Sequence, residues 1–296
     1  MRHKNTVIGY FRSGLSGTLT LTCLVLTAAT ATAAGPLPSS RTTHPAPPGP
    51  AHRALAARIY HGDGFDTCQA PDLSTMDAWL AHSSYRAIGV YFGGRARACS
   101  SQTNLTADWV RRTSASGWSL LPIFVGSQSP CVSGANKNPY RIDTKHPDAQ
   151  GAAEGADAIA AARAIGLDPG SALYLDMETY DIRDTACTTA TLKFIQGWDR
   201  QVAAGGYLSG FYSSADSGAQ HMENARLAGA ADLPDALWYA RWGVAADLTT
   251  EPSLAPGAWT PDARIHQYVG SATETHGGKR LNIDRDAIDA PVAVVG

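Results

Sequence analysis

Residues 172–178 of the chain read ALYLDME. Along this segment leucine and methionine alternate with Tyr174, Asp176 and Glu178, a period of two that predicts a β-strand. Successive side chains of a strand point to opposite faces, so the tyrosine and the two acids share one face. Because two carboxyl groups stand at the end of an otherwise apolar strand, this segment predicts a partly buried acidic site.

Short segments rich in aliphatic and aromatic residues recur eight times in the chain. Eight is the number of strands in a (β/α)8 barrel, and roughly 240 residues is a usual length for that fold. The predicted strands are Ile59–Thr67, Tyr85–Gly93, Trp118–Gly126, Ala172–Thr179, Tyr207–Ser213, Leu237–Gly243, Arg264–Val269 and Leu281–Ala287.

Several of these strands are separated by segments with apolar residues at three- and four-residue intervals, which predict helices. Gly117, Gly166 and Gly205 follow three of them as helix-ending residues. Alternating strands and helices favour a parallel sheet, so we interpret the chain as an α/β protein with a single-domain (β/α)8 TIM barrel. The predicted helices are Leu73–His82, Thr106–Ser116, Pro147–Ile165 and Thr188–Ala204.

The barrel is expected to be irregular near the C-terminus. The last two predicted strands are joined by a short, glycine-rich connection over residues 270–280. A parallel crossover needs about a dozen residues or more, so the last strand is expected to run antiparallel to its neighbour. A doubly wound open sheet is the alternative, but no glycine-rich nucleotide-binding loop follows any predicted strand.

The N-terminal segment has the features of an export signal. Basic residues precede an apolar stretch from Leu15 to Ala29, and small residues follow, which predicts a signal peptide over residues 1–34. A membrane anchor or a lipoprotein is the alternative. Residues 35–56 are rich in proline, serine and alanine and predict a disordered linker. We therefore expect a secreted protein, without stable membrane insertion after cleavage, whose barrel spans residues 57–296.

The composition narrows the possible partners. Removal of residues 1–34 leaves 21 Lys and Arg against 26 Asp and Glu, a formal charge of −5. A mildly acidic protein is not expected to bind nucleic acid. We expect a monomer with no cofactor and no metal ion.

Four cysteines remain after the predicted cleavage, and each follows one of the first four predicted strands. An even number of cysteines in an exported protein predicts two disulfides, although four cysteines allow three pairings. We favour bonds between adjacent loops, which would join Cys68 to Cys99 and Cys131 to Cys187. A zinc site is the alternative, but no pair has the close spacing of zinc ligands.

Further acids are predicted to lie beside Asp176 and Glu178. The active site of a (β/α)8 barrel lies at the C-terminal ends of its strands, and Asp66 lies near the end of the first predicted strand. Asp284 lies in the last strand, which neighbours the first in a closed barrel, so these two acids are expected to converge. Mutual repulsion and burial would raise the pKa of at least one carboxyl group, as a general acid requires. Gly62 and Gly64 are expected to leave room beside Asp66.

Aromatic residues lie in or just after several predicted strands. Aromatic faces around acidic groups are typical of sugar-binding clefts, although each ring taken singly is more often part of a core. The candidate substrate-binding residues are Tyr91, Tyr174, Tyr212, Trp238, Trp242, Gln267 and Tyr268.

Three motifs resemble a known family. They are GFDTCQAP at residues 64–71, YFGG at 91–94 and YLDME at 174–178. Together they look like the bacterial glycoside-hydrolase-like domain of unknown function 1906, which in turn resembles the family 25 glycoside hydrolases, muramidases of peptidoglycan. The resemblance implies that Glu178 donates the proton to the glycosidic oxygen. It implies that Asp176 stabilises the transition state or orients the acetamido group of the substrate, and that Asp66 and Asp284 tune and position these two residues.

The leading interpretation is a glycosidase that acts on peptidoglycan or another extracellular polysaccharide. A barrel that binds glycan without cleaving it is the second, because it would keep the aromatic and acidic residues but lack turnover. The third is a metal-dependent phosphodiesterase that uses His61, Asp63, Asp66 and Glu178. Esterase and protease motifs are absent from the sequence.

Overall fold

Eight strands close into one barrel in the computed structural model, which describes residues 57–296. Their order around the barrel is their order in the chain. This confirms the predicted (β/α)8 architecture, and the open sheet is wrong. The predicted signal peptide and linker lie outside the described residues. The strands are β1 Ile59–Asp66, β2 Ala87–Gly93, β3 Ser119–Phe124, β4 Ala172–Asp176, β5 Leu208–Ser214, β6 Ala236–Ala240, β7 Arg264–His276 and β8 Lys279–Pro291.

The four predicted helices are present, with small differences at their ends. Three begin at capping side chains, where Asp72, Thr106 and Asp184 accept a hydrogen bond from the backbone N–H three residues later. A fifth helix, preceded by a π turn at Ala215–Ala219, was not predicted because its apolar residues are few. The helices are α1 Leu73–His82, α2 Ala107–Ala115, α3 Pro147–Ala164, α4 Thr185–Ala204 and α5 Gln220–Leu227.

The last two strands form the irregular part of the barrel. β8 is antiparallel to both β7 and β1, as the short connection predicted. Gly277 and Gly278 make the turn between them with φ of 55° and 76°, a left-handed backbone that favours glycine. Because β8 runs in the opposite direction, Asp284 lies directly opposite Asp66.

Two large aromatic side chains fill the inside of the barrel. Tyr174 and Trp238 are both 0% exposed and meet edge to face with ring centroids 5.5 Å apart. Glycines on two other strands, β5 and β2, make room for them. A Cβ on Gly210 would lie 2.3 Å from the Tyr174 ring, and one on Gly89 would lie 3.1 Å from the Trp238 indole. The space beside Gly64 is likewise filled by Ile288, so this glycine does not open room for a ligand.

Both favoured disulfides are present. Cys68 is bonded to Cys99, which joins two loops, and Cys131 is bonded to Cys187, which joins a loop to the first turn of α4. These bonds hold long loops that the strands alone leave unconstrained. Within residues 57–296, no helix has the length and apolar character needed to cross a membrane.

Candidate active site

A cavity opens at the C-terminal ends of the strands and contains the four predicted acids. Asp66, Asp176, Glu178 and Asp284 all line it. Tyr91 lies on the same wall, together with the Cys68–Cys99 disulfide and Lys137. The four carboxyl groups predicted to be catalytic are therefore brought together at the position where barrels carry their active sites.

Asp66 is buried and is held by two hydrogen bonds. The Tyr91 hydroxyl donates to one carboxyl oxygen at 2.7 Å, and Gln267 Nε2 donates to the other at 2.7 Å. Burial and the charge of Asp284 raise the pKa of Asp66 to about 7, against the opposing effect of these two bonds. The side chain is thus fixed in place and changes charge near neutral pH.

Gln267 connects Asp66 to two aromatic residues. Its Oε1 atom accepts hydrogen bonds of 3.0 Å from the Tyr212 hydroxyl and from Trp242 Nε1. Since these donors occupy the oxygen, the amide nitrogen must face Asp66. Gln267 is only 1% exposed. It therefore orients Asp66 and is not placed to contact substrate directly, whereas Trp242 is 58% exposed at the mouth.

Asp176 ends β4 and is almost completely enclosed. Its Oδ1 atom has no hydrogen-bond partner among the described residues. Burial, with the charge of Glu178, raises the pKa of Asp176 well above its ordinary value, while Lys137 acts in the opposite direction. An enclosed carboxyl group with an unpartnered oxygen favours its neutral form.

The backbone between Asp176 and Glu178 is held by one buried amide. Gln128 Nε2 donates to the Asp176 carbonyl at 3.0 Å, and the Glu178 N–H donates to Gln128 Oε1 at 2.8 Å. The two bonds satisfy the Asp176 carbonyl and the Glu178 N–H at the end of β4, where the strand no longer supplies partners for the backbone. Gln128 thereby fixes the relative positions of the two acidic residues.

Glu178 has a different environment from Asp176. Its side chain is 44% exposed, and its Oε1 atom lies 3.3 Å from Lys137 Nζ. Lys137 comes from a 3-10 turn, Ala135–Tyr140, and also donates to the Ala96 carbonyl at 3.1 Å. Lys137 and Glu178 thus form an ion pair at the wall of the cavity.

Two further acids lie beside Asp66 on β8. Asp284 accepts a hydrogen bond from the Ser271 N–H, and burial raises its pKa. Asp286 is 0% exposed and accepts a 3.0 Å bond from Trp238 Nε1. Burial and the charge of Asp66 raise the pKa of Asp286 well above its ordinary value. The acidic cluster thus extends below the cavity.

Besides Gln267, three of the predicted substrate-binding residues are not placed to contact a substrate. Tyr174 and Trp238 are completely buried below the acids, where Tyr174 donates to the Pro291 carbonyl and Trp238 to Asp286. Tyr268 faces the outside of the barrel near His266, with ring centroids 6.1 Å apart. It follows Gln267, which points inward, and neighbours on a strand face opposite sides.

Three residues in or directly beside the acidic cluster were missed by the sequence prediction. Asp286 could have been predicted from the sequence, because Asn282, Asp284 and Asp286 are spaced two residues apart and so share one face of the strand. No sequence pattern indicates Lys137 or Gln128, since both belong to the long segment between β3 and α3. The direction of a side chain in such a segment depends on tertiary contacts.

His61 does not join the cavity. It lies near the start of β1 with Asp262 and Asp289, and the nearest ligand atoms of the three lie within 4.8 Å of one another. Asp66 is at the other end of the same strand. The phosphodiesterase interpretation, which needed His61 beside Asp66 and Glu178, is therefore wrong about the placement of this residue.

A closed α/β barrel with a cluster of carboxyl groups at its C-terminal mouth has the architecture of a glycoside hydrolase-like domain. The family comparison agrees. The sequence profile of the Rv2525c-like, glycoside hydrolase-like domain matches residues 77–288, and the chain belongs to this family. Its match includes Asp176, Glu178 and Asp284 and begins after Asp66. No protein with curated annotation matches the chain.

Solved structures share the fold. The Tat-secreted protein Rv2525c of Mycobacterium tuberculosis, crystallised with L-tartrate, aligns with a TM-score of 0.51 and 15% identity over 77% of this chain and 96% of that chain. Its crystal form with HEPES gives 0.50 and 16% over 78% and 96%. The modular autolysin LytC of Streptococcus pneumoniae gives 0.48 and 12% over 79% of this chain and 47% of that chain.

Proposed function

We propose that the protein is a secreted glycoside hydrolase that acts on peptidoglycan or another extracellular polysaccharide. The observation that carries this proposal is the contrast between Asp176 and Glu178. One is enclosed with a raised pKa, and the other is half-exposed beside a lysine. Hydrolysis of a glycosidic bond by acid and base catalysis needs one protonated and one ionised carboxyl group at the same site.

The remaining predicted residues fit supporting roles in this proposal. Asp66 and Asp284 flank the pair and set its electrostatic environment. Tyr91 and Tyr212 hold the network around Asp66, directly or through Gln267. Trp242 offers an exposed indole at the mouth on which the apolar face of a sugar ring can stack.

Export is supported by three observations. The N-terminal residues have the pattern of a signal peptide, the described residues contain two disulfides, and the family relative Rv2525c is Tat-secreted. Disulfides persist mainly in oxidising compartments outside the cytosol. An extracellular polymer is the class of substrate that such a protein meets.

The proposal is tested by incubating the mature protein with purified peptidoglycan and with a panel of β-linked glycans, and by mass spectrometry of the products. We expect new reducing ends with at least one substrate. Asp176→Asn and Glu178→Gln should each reduce turnover by about 100-fold or more, the usual contribution of general acid or base catalysis. A folded wild-type protein that releases nothing from any of these polymers would contradict the proposal.

Glycan binding without hydrolysis is the second candidate. It is favoured by the ion pair between Lys137 and Glu178, which engages a half-exposed carboxyl group of the cavity. Affinity for the same glycans, measured by titration calorimetry on Glu178→Gln and wild type, separates the two. Tight binding by both proteins, with no products from either, would support the second candidate.

A further inference from the structure

A histidine and two aspartates lie together at the end of the barrel opposite the acidic cavity. His61 is near the start of β1, Asp289 is near the end of the antiparallel strand β8, and Asp262 comes two residues before β7. His61 and Asp289 are directly opposite each other in the β1–β8 ladder, so they share one face. Ile288 and Ala290, the neighbours of Asp289, belong to the core inside the barrel, so this face is the outer one.

The imidazole ring of His61 lies between the two carboxyl groups. Nδ1 is 2.7 Å from Asp289 Oδ1, and Nε2 is 3.9 Å from Asp262 Oδ1. One ligand atom from each of the three side chains lies within 4.8 Å of the other two. Ligand atoms on one tetrahedral zinc ion are about 3.3 Å apart, at bond lengths of about 2.0 to 2.2 Å. Because the His61 side chain is 65% exposed, a small rotation of its ring is enough to bring all three residues onto one ion.

The charges of this cluster do not balance within the protein. A protonated histidine supplies one positive charge against two carboxylates, and no lysine or arginine of residues 57–296 lies within ion-pair distance of Asp262 or Asp289. Asp289 Oδ1 is also shielded from solvent, and it accepts no hydrogen bond from a described residue, since the nearby ring nitrogen does not meet it in hydrogen-bond geometry. Surplus negative charge and an unsatisfied carboxylate oxygen are both relieved by a divalent cation.

We propose that His61, Asp262 and Asp289 bind one zinc ion, with water completing its coordination. An imidazole nitrogen with carboxylate oxygens suits zinc, whereas calcium and magnesium take oxygen ligands. Asp66 lies five residues further along β1, about 16 Å away at the usual rise of a strand. The ion is therefore too far from the cavity to take part in its chemistry, and the inference is independent of the proposed function.

The role of the ion is to fasten the closure of the barrel. β8 completes the barrel by pairing with both β7 and β1. The ion joins the end of β8 to the start of β1 and to the segment before β7. A ligand that binds only the folded chain stabilises it by mass action. No sequence pattern indicates the site, because its three residues are far apart in the chain and meet only in the closed barrel.

Binding is tested by titration calorimetry of the mature protein, without an affinity tag, against zinc chloride. The four cysteines of the barrel are paired, so no thiol competes for the metal. We expect one ion per chain, with affinity reduced by about tenfold or more in His61→Ala and in Asp289→Asn. His146→Ala is the matched control, because His146 forms a similar exposed pair with Asp143 but has no second acid beside it. Its affinity should equal that of the wild type.

Two outcomes of the titration overturn the proposal. One is the absence of saturable binding by the folded wild type at millimolar zinc. The other is wild-type affinity in both His61→Ala and Asp289→Asn, which would place the metal elsewhere. Circular dichroism of each variant checks that it is folded, and the exposure of His61 makes its replacement compatible with an intact barrel.

The structural role is tested by thermal unfolding. Zinc at about 100 times its dissociation constant should raise the Tm of the wild type by about 5 °C or more. Asp262→Asn should lose most of this rise, and calcium at the same concentration should not produce it. A wild-type rise in Asp262→Asn overturns the participation of this residue, and an equal rise with calcium overturns the assignment of the metal.

Discussion

Replacement of Asp66 by asparagine should destabilise the protein at acidic pH and stabilise it at alkaline pH. Folding raises the pKa of Asp66 from 3.8 to about 7, chiefly through burial. The folded protein therefore keeps a proton on Asp66 that the unfolded chain releases at lower pH. The free energy of unfolding accordingly falls as the pH rises from about 4 to about 7.

The size of this loss follows from the pKa difference. About 3 pKa units at about 1.4 kcal/mol each correspond to about 4 kcal/mol at neutral pH and above. Asparagine cannot ionise, so the free energy of unfolding of Asp66→Asn does not fall in this way as the pH rises. It still accepts from Tyr91, but its amide group faces Gln267 Nε2, another donor, and this mismatch should cost about 1 to 2 kcal/mol at every pH.

The assay is urea unfolding of wild type and Asp66→Asn at several values between about pH 4 and pH 8. The variant should be less stable by about 1 to 2 kcal/mol at the acidic end and more stable by about 2 to 3 kcal/mol at the alkaline end. The other buried acids are present in both proteins, so the difference between the curves isolates Asp66 and its couplings. Parallel curves over the whole range would refute the raised pKa.

Three further predictions concern other parts of the molecule. Trp242→Ala should weaken glycan affinity measured by calorimetry by about 1 kcal/mol or more and lower the free energy of unfolding by about 1 kcal/mol at most, because the indole is 58% exposed and Tyr212 also donates to the Gln267 oxygen that Trp242 bonds; an unchanged affinity would contradict its role as a sugar platform. Removal of Cys68 and Cys99 as a pair should lower the free energy of unfolding by about 3 to 4 kcal/mol, since they are 31 residues apart; a loss below about 1 kcal/mol would show that the loops need no tether. Gly210→Ala should lower it by about 3 kcal/mol or more, because the new Cβ would lie 2.3 Å from the Tyr174 ring; denaturation at the wild-type midpoint would contradict this packing.

The strands of the barrel could be predicted because their signal is local. Apolar alternation fixes both the existence of β4 and the face on which Tyr174 and Asp176 lie, and the observed interior position of both follows from it. The antiparallel direction of β8 was also predictable, since residues 270–280 are too few for a crossover. These features depend on period and length alone.

The depth of each side chain inside the barrel could not be predicted in the same way. Tyr174, Asp176 and Trp238 all face inward, but only Asp176 reaches the cavity, and the two aromatic residues are buried beneath it. That depth is set by the register between strands and by small residues opposite each ring, such as Gly89 and Gly210. Neither is visible within one segment of sequence.

The acidic cluster opposes the stability of the fold that contains it. Asp66, Asp176, Asp284 and Asp286 all have pKa values raised by burial, so each contributes instability once the pH exceeds its ordinary pKa. Apolar side chains of similar size at these positions would pack the same barrel without that penalty. Among the described residues that line the cavity, Lys137 is the only basic one, and it offsets only part of the negative charge. Since packing does not explain four such groups in and directly below one cavity of the barrel, the arrangement is best understood through the chemistry of a site that must hold and release protons.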